Sequence, residues 1–349
     1  MIKSIVYLRA IASILVLISH SAHKASQYST NPMYWYKVKG IGVDLFFIVS
    51  GFILCYITYD KVKNPFHFLR ARILRIMPLY WVLTIFALVI YFILPDKVNS
   101  SGGETNIYAS FFILPTKDNL LITNGWTLRY TVLFYVIYSI GLFFSIKNRN
   151  LIIALILIIL FSSGLFLNPK NIYLNYITSG YLFEFFLGIL IFYIHKNIKM
   201  GQTYGLILIF LSGAIVVFLK QMEISSGYRI IDNGITSFFF FLGMLAVEPF
   251  FQKHKNSQIS KLMTEIGNSS YSLYLFHPFI LVLTSLILQK FHLTNFGYFF
   301  ILNLMLSSII GGYICYFFIE KPLIKFTKAK LNSGNNTNKL KRFQINNVT

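Results

Sequence analysis

An arginine and a histidine stand eleven residues apart in a stretch that is otherwise apolar, small or hydroxylic. The segment IVYLRAIASILVLISHSAH carries Arg9 and His20. At 100° and 1.5 Å per residue, eleven steps bring both side chains to within about 20° of one helix face, roughly 16 Å apart along the axis. One face of one helix thus offers a cation near one end and a titratable base near the other. An ionisable group at membrane depth is costly, so it normally faces a protein interior or a water-filled cavity and serves a function. An imidazole in such a place suits general-base work on a hydroxyl. The plainer reading is a membrane helix with a snorkelling arginine and a hydrogen-bonded histidine. A secretory signal shares the basic start at Lys3, but Arg9 interrupts the apolar core that such a signal needs.

Other ionisable residues in apolar surroundings extend the list. GIGVDLFFIVSGF places Asp44 just inside a span and Ser50-Gly51 in its middle. A carboxylate near an imidazole fixes its tautomer and raises its basicity, so Asp44 is expected to orient His20. The alternative is a helix-start carboxylate serving the dipole, with Ser50 and Gly51 permitting close helix packing. FHFLRARILRIMPLYW carries Arg70, Arg72 and Arg75, the last two spaced to share a helix face. Guanidiniums are the preferred forks for phosphate, which points to a phosphorylated cosubstrate; cationic anchoring at the headgroups is the plain alternative. NGWTLRYTVLFY brings Trp126 as an interface anchor and Arg129 as a second cation within a span. Glu184 lies in FEFFLGIL, and His277 precedes Pro278 in GNSSYSLYLFHPFI, where a structural role is the simpler reading.

The elements that must position these groups are membrane helices. Of 349 residues, 56% are hydrophobic and 12% charged, against about 25% charged in soluble domains. Apolar runs of spanning length predict ten helices, near 5–23, 41–59, 76–94, 127–145, 151–167, 176–194, 203–220, 230–247, 269–289 and 297–319. With the N-terminus inside, twenty of the 31 Lys and Arg fall in inside segments, nine outside and two within spans. That asymmetry puts both termini in the cytoplasm, as an even number of spans requires. His20, Asp44 and Arg129 then lie toward the outer face, with Arg70, Arg72 and Arg75 at the inner. Thr131 is expected at a depth similar to His20. The expected fold is an all-α integral membrane protein, a single bundle over 1–328 with a polar, Asn-rich tail over 329–349 that has the composition of disorder. The formal charge of +20 follows the bilayer sides and is not by itself a nucleic-acid signal. Cys55 and Cys315 make no disulfide framework, and no HExxH, Walker or CxxC motif is present.

Residues 8–20, 42–52, 68–81, 126–135, 269–278 and 319–322 together resemble the acyltransferase-3 family over nearly the whole chain. LRAIASILVLISH is similar to that family's Arg-x10-His helix. GVDLFFIVSGF, RARILRIMPLYW, WTLRYTVLFY, YSLYLFHP and IEKP are similar to its other recurring segments, in the same order. The resemblance implies a multi-pass protein of the bacterial cytoplasmic membrane, of the kind that acetylates exopolysaccharide or O-antigen. It implies transfer of an acyl group, most simply acetyl, from acyl-coenzyme A to a hydroxyl of a polymeric or lipid-linked glycan. The partners it implies are acyl-CoA, glycan and membrane lipids, with no bound cofactor, metal or nucleic acid. His20, Asp44 and Arg9 are then the catalytic candidates, and Arg9, Arg70, Arg72, Arg75, Ser50 and Gly51 the donor-binding ones. Trp126, Arg129, Thr131, Glu184 and His277 are candidates for the acceptor side or for support. The chain departs from the family at Thr131, where members commonly carry Glu; Asp44 or Glu184 is then the expected source of the charge. Intramembrane Arg, His and carboxylates also fit a proton-coupled transporter or flippase, and Thr131 also fits a catalytically impaired variant.

Overall fold

The computed structural model describes residues 2–28, 30–33, 40–95, 103–222 and 229–331. The expected polar tail lies outside the described residues from 332 onward. Ten helices dominate: α1 Lys3–Ser26, α2 Ile41–Thr58, α3 Pro65–Ile93, α4 Trp126–Gly141, α5 Arg149–Leu167, α6 Tyr181–Asn197, α7 Gln202–Gln221, α8 Ile235–Ala246, α9 Gln258–Lys290 and α10 Gly297–Cys315. Short helices and turns join them, and no strand occurs among the described residues. Among the described residues, eight helical segments are long and apolar enough to cross a membrane. The other two predicted spans are shorter: α4 has 16 residues, and α8 with its preceding π-helical turn covers Ile230–Ala246. Phe166, Phe210 and Phe318 are among many large apolar residues that point outward. A surface so apolar belongs in hydrocarbon rather than water. The protein is a helical membrane bundle.

Two helices run well beyond the apolar windows that announced them. α3 begins at Pro65 rather than near 76, because Asn64 caps it: its Oδ1 accepts the His67 N–H at 2.9 Å, and Pro65 occupies the first turn. The added turns carry the three arginines. α9 begins at Gln258 rather than near 269, with Ser257 as its cap. Hydropathy sees only the part of a helix that lipid or core demands, so polar leading turns escape it.

α1 packs on α2, α9 and α10. Glycine permits the closest crossings. A Cβ on Gly42 would collide with the Ala12 carbonyl oxygen, so α2 presses directly on the α1 backbone. Gly51 and Gly188 face one another across α2 and α6, where added Cβ atoms would run into the Phe185 and Ile48 carbonyl oxygens. These small residues bring the polar faces of α1, α2 and α6 together. Residues 103–125, ahead of α4, fold back over the bundle. Tyr80 and Trp81 donate to the carbonyls of Ser110 and Phe111 at 2.6 and 3.0 Å, and Leu120, Leu121 and Ile122 are buried.

Candidate functional site

Arg9 and His20 open into two different cavities. The first, about 240 Å³, is lined by Arg9, Ser50, Arg72, Arg75, Thr131 and Tyr135, with apolar residues of α2 between them. The second, about 160 Å³, is lined by Ser19, His20, Gly40, Trp126 and Arg229. Val43 lines both, so the two cavities adjoin beside the helix that carries Arg9 and His20.

The first cavity concentrates positive charge. Arg75 is held by Glu320, with Nη1 2.7 Å from Oε1. Ser272 donates to the other carboxylate oxygen at 2.5 Å, so Glu320 is engaged on both oxygens and aims the guanidinium. Arg72 lies over the Phe68 ring at 5.6 Å, and its buried Nε has no hydrogen-bond partner among the described residues. Arg9 has no carboxylate within salt-bridge distance among the described residues. Three guanidiniums beside one carboxylate leave a net positive chamber that fits a polyanionic ligand. Ser50 lines it while donating to Phe46 O at 2.8 Å.

Two expected members of this group, Arg70 and Gly51, lie elsewhere, and Thr131, expected near His20, joins it. Arg70, two residues before Arg72, points about 200° away around the helix; its exposed side chain borders a separate surface groove with Phe66, Leu69 and Lys330. Gly51 does not line the cavity, because its Cα face is filled by the backbone of α6. Thr131 faces the arginines and not His20, contrary to the depth expected from its place in the span. Its hydroxyl donates to Thr127 O at 3.2 Å, one turn earlier on α4.

The largest correction concerns Asp44. Its fully buried carboxylate does not face the His20 cavity; it holds Arg229, accepting from Nε at 2.9 Å and lying 2.8 Å from Nη2. Glu184, equally buried, stands 3.5 Å from Arg229 Nε. Neither acid is free to replace a charge at Thr131 or to orient His20. The cause is a cation that the sequence places in an outside loop. Arg229 also donates to Gly40 O at 3.3 Å and lies 4.8 Å over the Tyr181 ring. An arginine abutting the apolar run 230–247 is the available signal, since a cation at a span's edge beside intramembrane acids invites pairing.

Around Arg229 the aromatic rings of Trp126, Tyr130, Tyr176 and Tyr181 contact one another, with Trp126 and Tyr181 5.1 Å apart. Arg129 sits at the edge of this group without entering either cavity; its carbonyl accepts from the Tyr176 hydroxyl at 2.6 Å. The ring that His20 meets among the described residues is a second imidazole. The His277 ring stands 5.0 Å away at 78°, and that residue is 1% exposed.

The sequence model of a protein family, described as an acyltransferase domain, matches residues 2–319. The chain is 23% identical over 327 residues to the exopolysaccharide production protein ExoZ of Rhizobium meliloti (strain 1021), covering 90% of this chain and 96% of ExoZ. It is 26% identical over 327 residues to the O-acetyltransferase OatA of Staphylococcus aureus (strain NCTC 8325 / PS 47). That match covers 83% of this chain and 53% of OatA, so the chain spans about half the length of that relative. No solved structure matches the chain.

Proposed function

Because the chain belongs to the acyltransferase-3 family and is a membrane O-acyltransferase, we propose that it moves an acetyl group from acetyl-coenzyme A to a hydroxyl of a cell-surface polysaccharide or its lipid-linked precursor. The names of its relatives support the acetyl group and the polysaccharide. The observation that carries the reading is the pair of adjoining cavities, one built around three arginines and the other around a histidine.

In this reading both termini lie in the cytoplasm, and the arginine cavity opens toward that side of a bacterial cytoplasmic membrane. The donor's phosphates meet Arg72 and Arg75, which supply charge-assisted hydrogen bonds. Its long arm runs past Arg9, whose guanidinium orients it. The thioester carbonyl reaches the boundary near Val43, and the sugar hydroxyl enters from the outer side into the His20 cavity. His20 takes the hydroxyl proton as the oxygen attacks the carbonyl carbon. The tetrahedral intermediate then collapses, the carbon–sulfur bond breaks, and the leaving thiolate takes up the proton that His20 holds, which returns His20 to its neutral form. Trp126 offers an apolar face to the sugar ring, and Arg229 offers N–H donors to its hydroxyls. Asp44 and Glu184 act through Arg229, holding it at the cavity wall. The reaction so written draws on no bound cofactor.

The test is direct. Surface glycan from cells with and without the gene is compared by mass spectrometry. The expected result is an increment of one acetyl on the glycan only when the gene is present; identical glycan masses would overturn the reading.

A further inference from the structure

Among the described residues His20 has no carboxylate partner of the kind that would ordinarily set an imidazole's tautomer, because Asp44 is committed to Arg229. A neutral imidazole acting as a base must keep one nitrogen bare toward its substrate, and a partner on the other nitrogen decides which one that is. The neighbouring ring is equipped for this. His277 Nδ1 lies 3.0 Å from the Leu273 carbonyl oxygen, one turn earlier on α9. A carbonyl only accepts, so Nδ1 carries the hydrogen and Nε2 is left as a bare acceptor. That Nε2 is buried and has no hydrogen-bond partner among the described residues. An unsatisfied buried acceptor costs free energy and calls for an explanation.

The local backbone holds His277 in this attitude. Pro278 follows it inside α9 and removes the N–H that would have bonded to the Tyr274 carbonyl. Asn124 fills the gap, donating to Tyr274 O at 3.0 Å. Thr127 adds a bond to the Tyr274 hydroxyl at 3.0 Å. The turn of α9 that bears the histidine is thus fastened to the start of α4, next to Trp126 at the wall of the His20 cavity.

We infer that His277 is the positioning residue for His20: its Nε2 accepts the N–H of His20 in the working complex, fixing the tautomer that leaves the other nitrogen of His20 bare toward the acceptor hydroxyl. This role rests on His20 being the general base. His277 does not line the cavity, so it acts through His20 and touches no substrate. With His277 kept on the Leu273 carbonyl and the ring centroids 5.0 Å apart, it is the His20 ring that turns to make that hydrogen bond. The two rings then form a base built of imidazoles alone, in a place where a carboxylate would bring a further buried negative charge beside Asp44 and Glu184.

The experiment uses the full chain in lipid nanodiscs, with acetyl-CoA as donor and, as acceptor, surface glycan from gene-deleted source cells. Initial rates are measured for the parent, His277→Leu, His277→Gln and His20→Ala. Partners that orient a functional histidine, best measured at metal sites, are worth about 10- to 100-fold in activity. His277→Leu is therefore expected to lower kcat by about that factor with both KM values within about twofold. Gln keeps an acceptor oxygen at similar reach, and His277→Gln should recover at least about fivefold of the loss. Equal kcat in parent and His277→Leu, or equal losses in the two variants, would overturn the inference. Should the variants fold poorly, nitrogen-15 NMR of histidine-labelled parent decides, with His277 assigned as the resonance that His20→Ala perturbs. A neutral His277 protonated on Nδ1 is expected, and one protonated on Nε2 contradicts the inference. The underlying reading fails separately: full activity in His20→Ala removes the base itself, whereas an essential His20 with an indifferent His277 removes only the positioning role.

Discussion

At the scale of single residues, the proposed reaction asks some charges to meet the substrates and others to hold those charges in place. Arg229, Asp44 and Glu184 form a cluster in which one guanidinium serves two fully buried carboxylates. Removing the cation leaves those carboxylates uncompensated, and breaking a buried pair from one side costs about 3–5 kcal/mol. Arg229→Ala is therefore expected to lower the thermal unfolding midpoint in detergent well below that of Arg70→Ala, whose side chain is exposed. An unchanged midpoint would show that the cluster contributes nothing to stability. Arg70 and Arg72 make a second contrast. Losing one charge-assisted hydrogen bond costs roughly 1.5–3 kcal/mol, so Arg72→Ala should weaken acetyl-CoA binding about tenfold or more, while Arg70→Ala should stay within about twofold. Matching donor titrations for the two variants would remove the arginine cavity from the donor's path. Thr131→Glu belongs on the same side. A carboxylate there faces Arg9, Arg72 and Arg75, so the substitution should act on the KM for acetyl-CoA and leave the KM for glycan alone. A change confined to the glycan KM would move Thr131 to the acceptor side.

At the scale of elements, helix crossings decide which side chains meet. Gly51 and Gly188 have no space for a Cβ, so Gly188→Leu should force α2 from α6 and disturb the cluster of Asp44, Glu184 and Arg229 that the two helices share with the turn leading into α8. Its signature would be loss of stability and of activity together, measured by unfolding midpoint and initial rate; loss of activity at full stability would contradict it. Much of this layout is legible in the sequence. The helix periodicity puts Arg9 and His20 on one face, and the three-residue spacing puts Arg72 and Arg75 together. The pairing of Asp44 is not legible, because its partner lies 185 residues further along the chain. No local pattern distinguishes a cation that enters a core from one that stays in a loop. The place of Thr131 escapes for a related reason: residue count along a span gives depth, whereas tilt and the fold-back before α4 decide which cavity a side chain sees. His277 carries only a weak signal, since a histidine before proline reads as architecture until its ring is found against His20.

At the scale of the whole molecule, the proposed reaction needs the arginine cavity on one side of the membrane and the histidine cavity toward the other. The exposed positions Lys117 and Lys328 are suited to report on those sides. Single cysteines placed at these positions, in a chain lacking Cys55 and Cys315, should label differently: Lys117→Cys from outside intact cells, and Lys328→Cys only after permeabilisation. The reverse pattern would invert the proposed route of donor and acceptor. In the proposed reaction the two cavities divide the work, with arginines holding the donor and His20 moving the proton. Initial rates of coenzyme A release test that division most directly, over matched titrations of acetyl-CoA and glycan with the parent, Arg72→Ala and His20→Ala. A raised donor KM with kcat largely kept is predicted for Arg72→Ala, and a kcat lowered by about 10²–10⁴-fold with donor KM kept for His20→Ala. Variants that fail in the same parameter, or a His20→Ala that turns over like the parent, would contradict it.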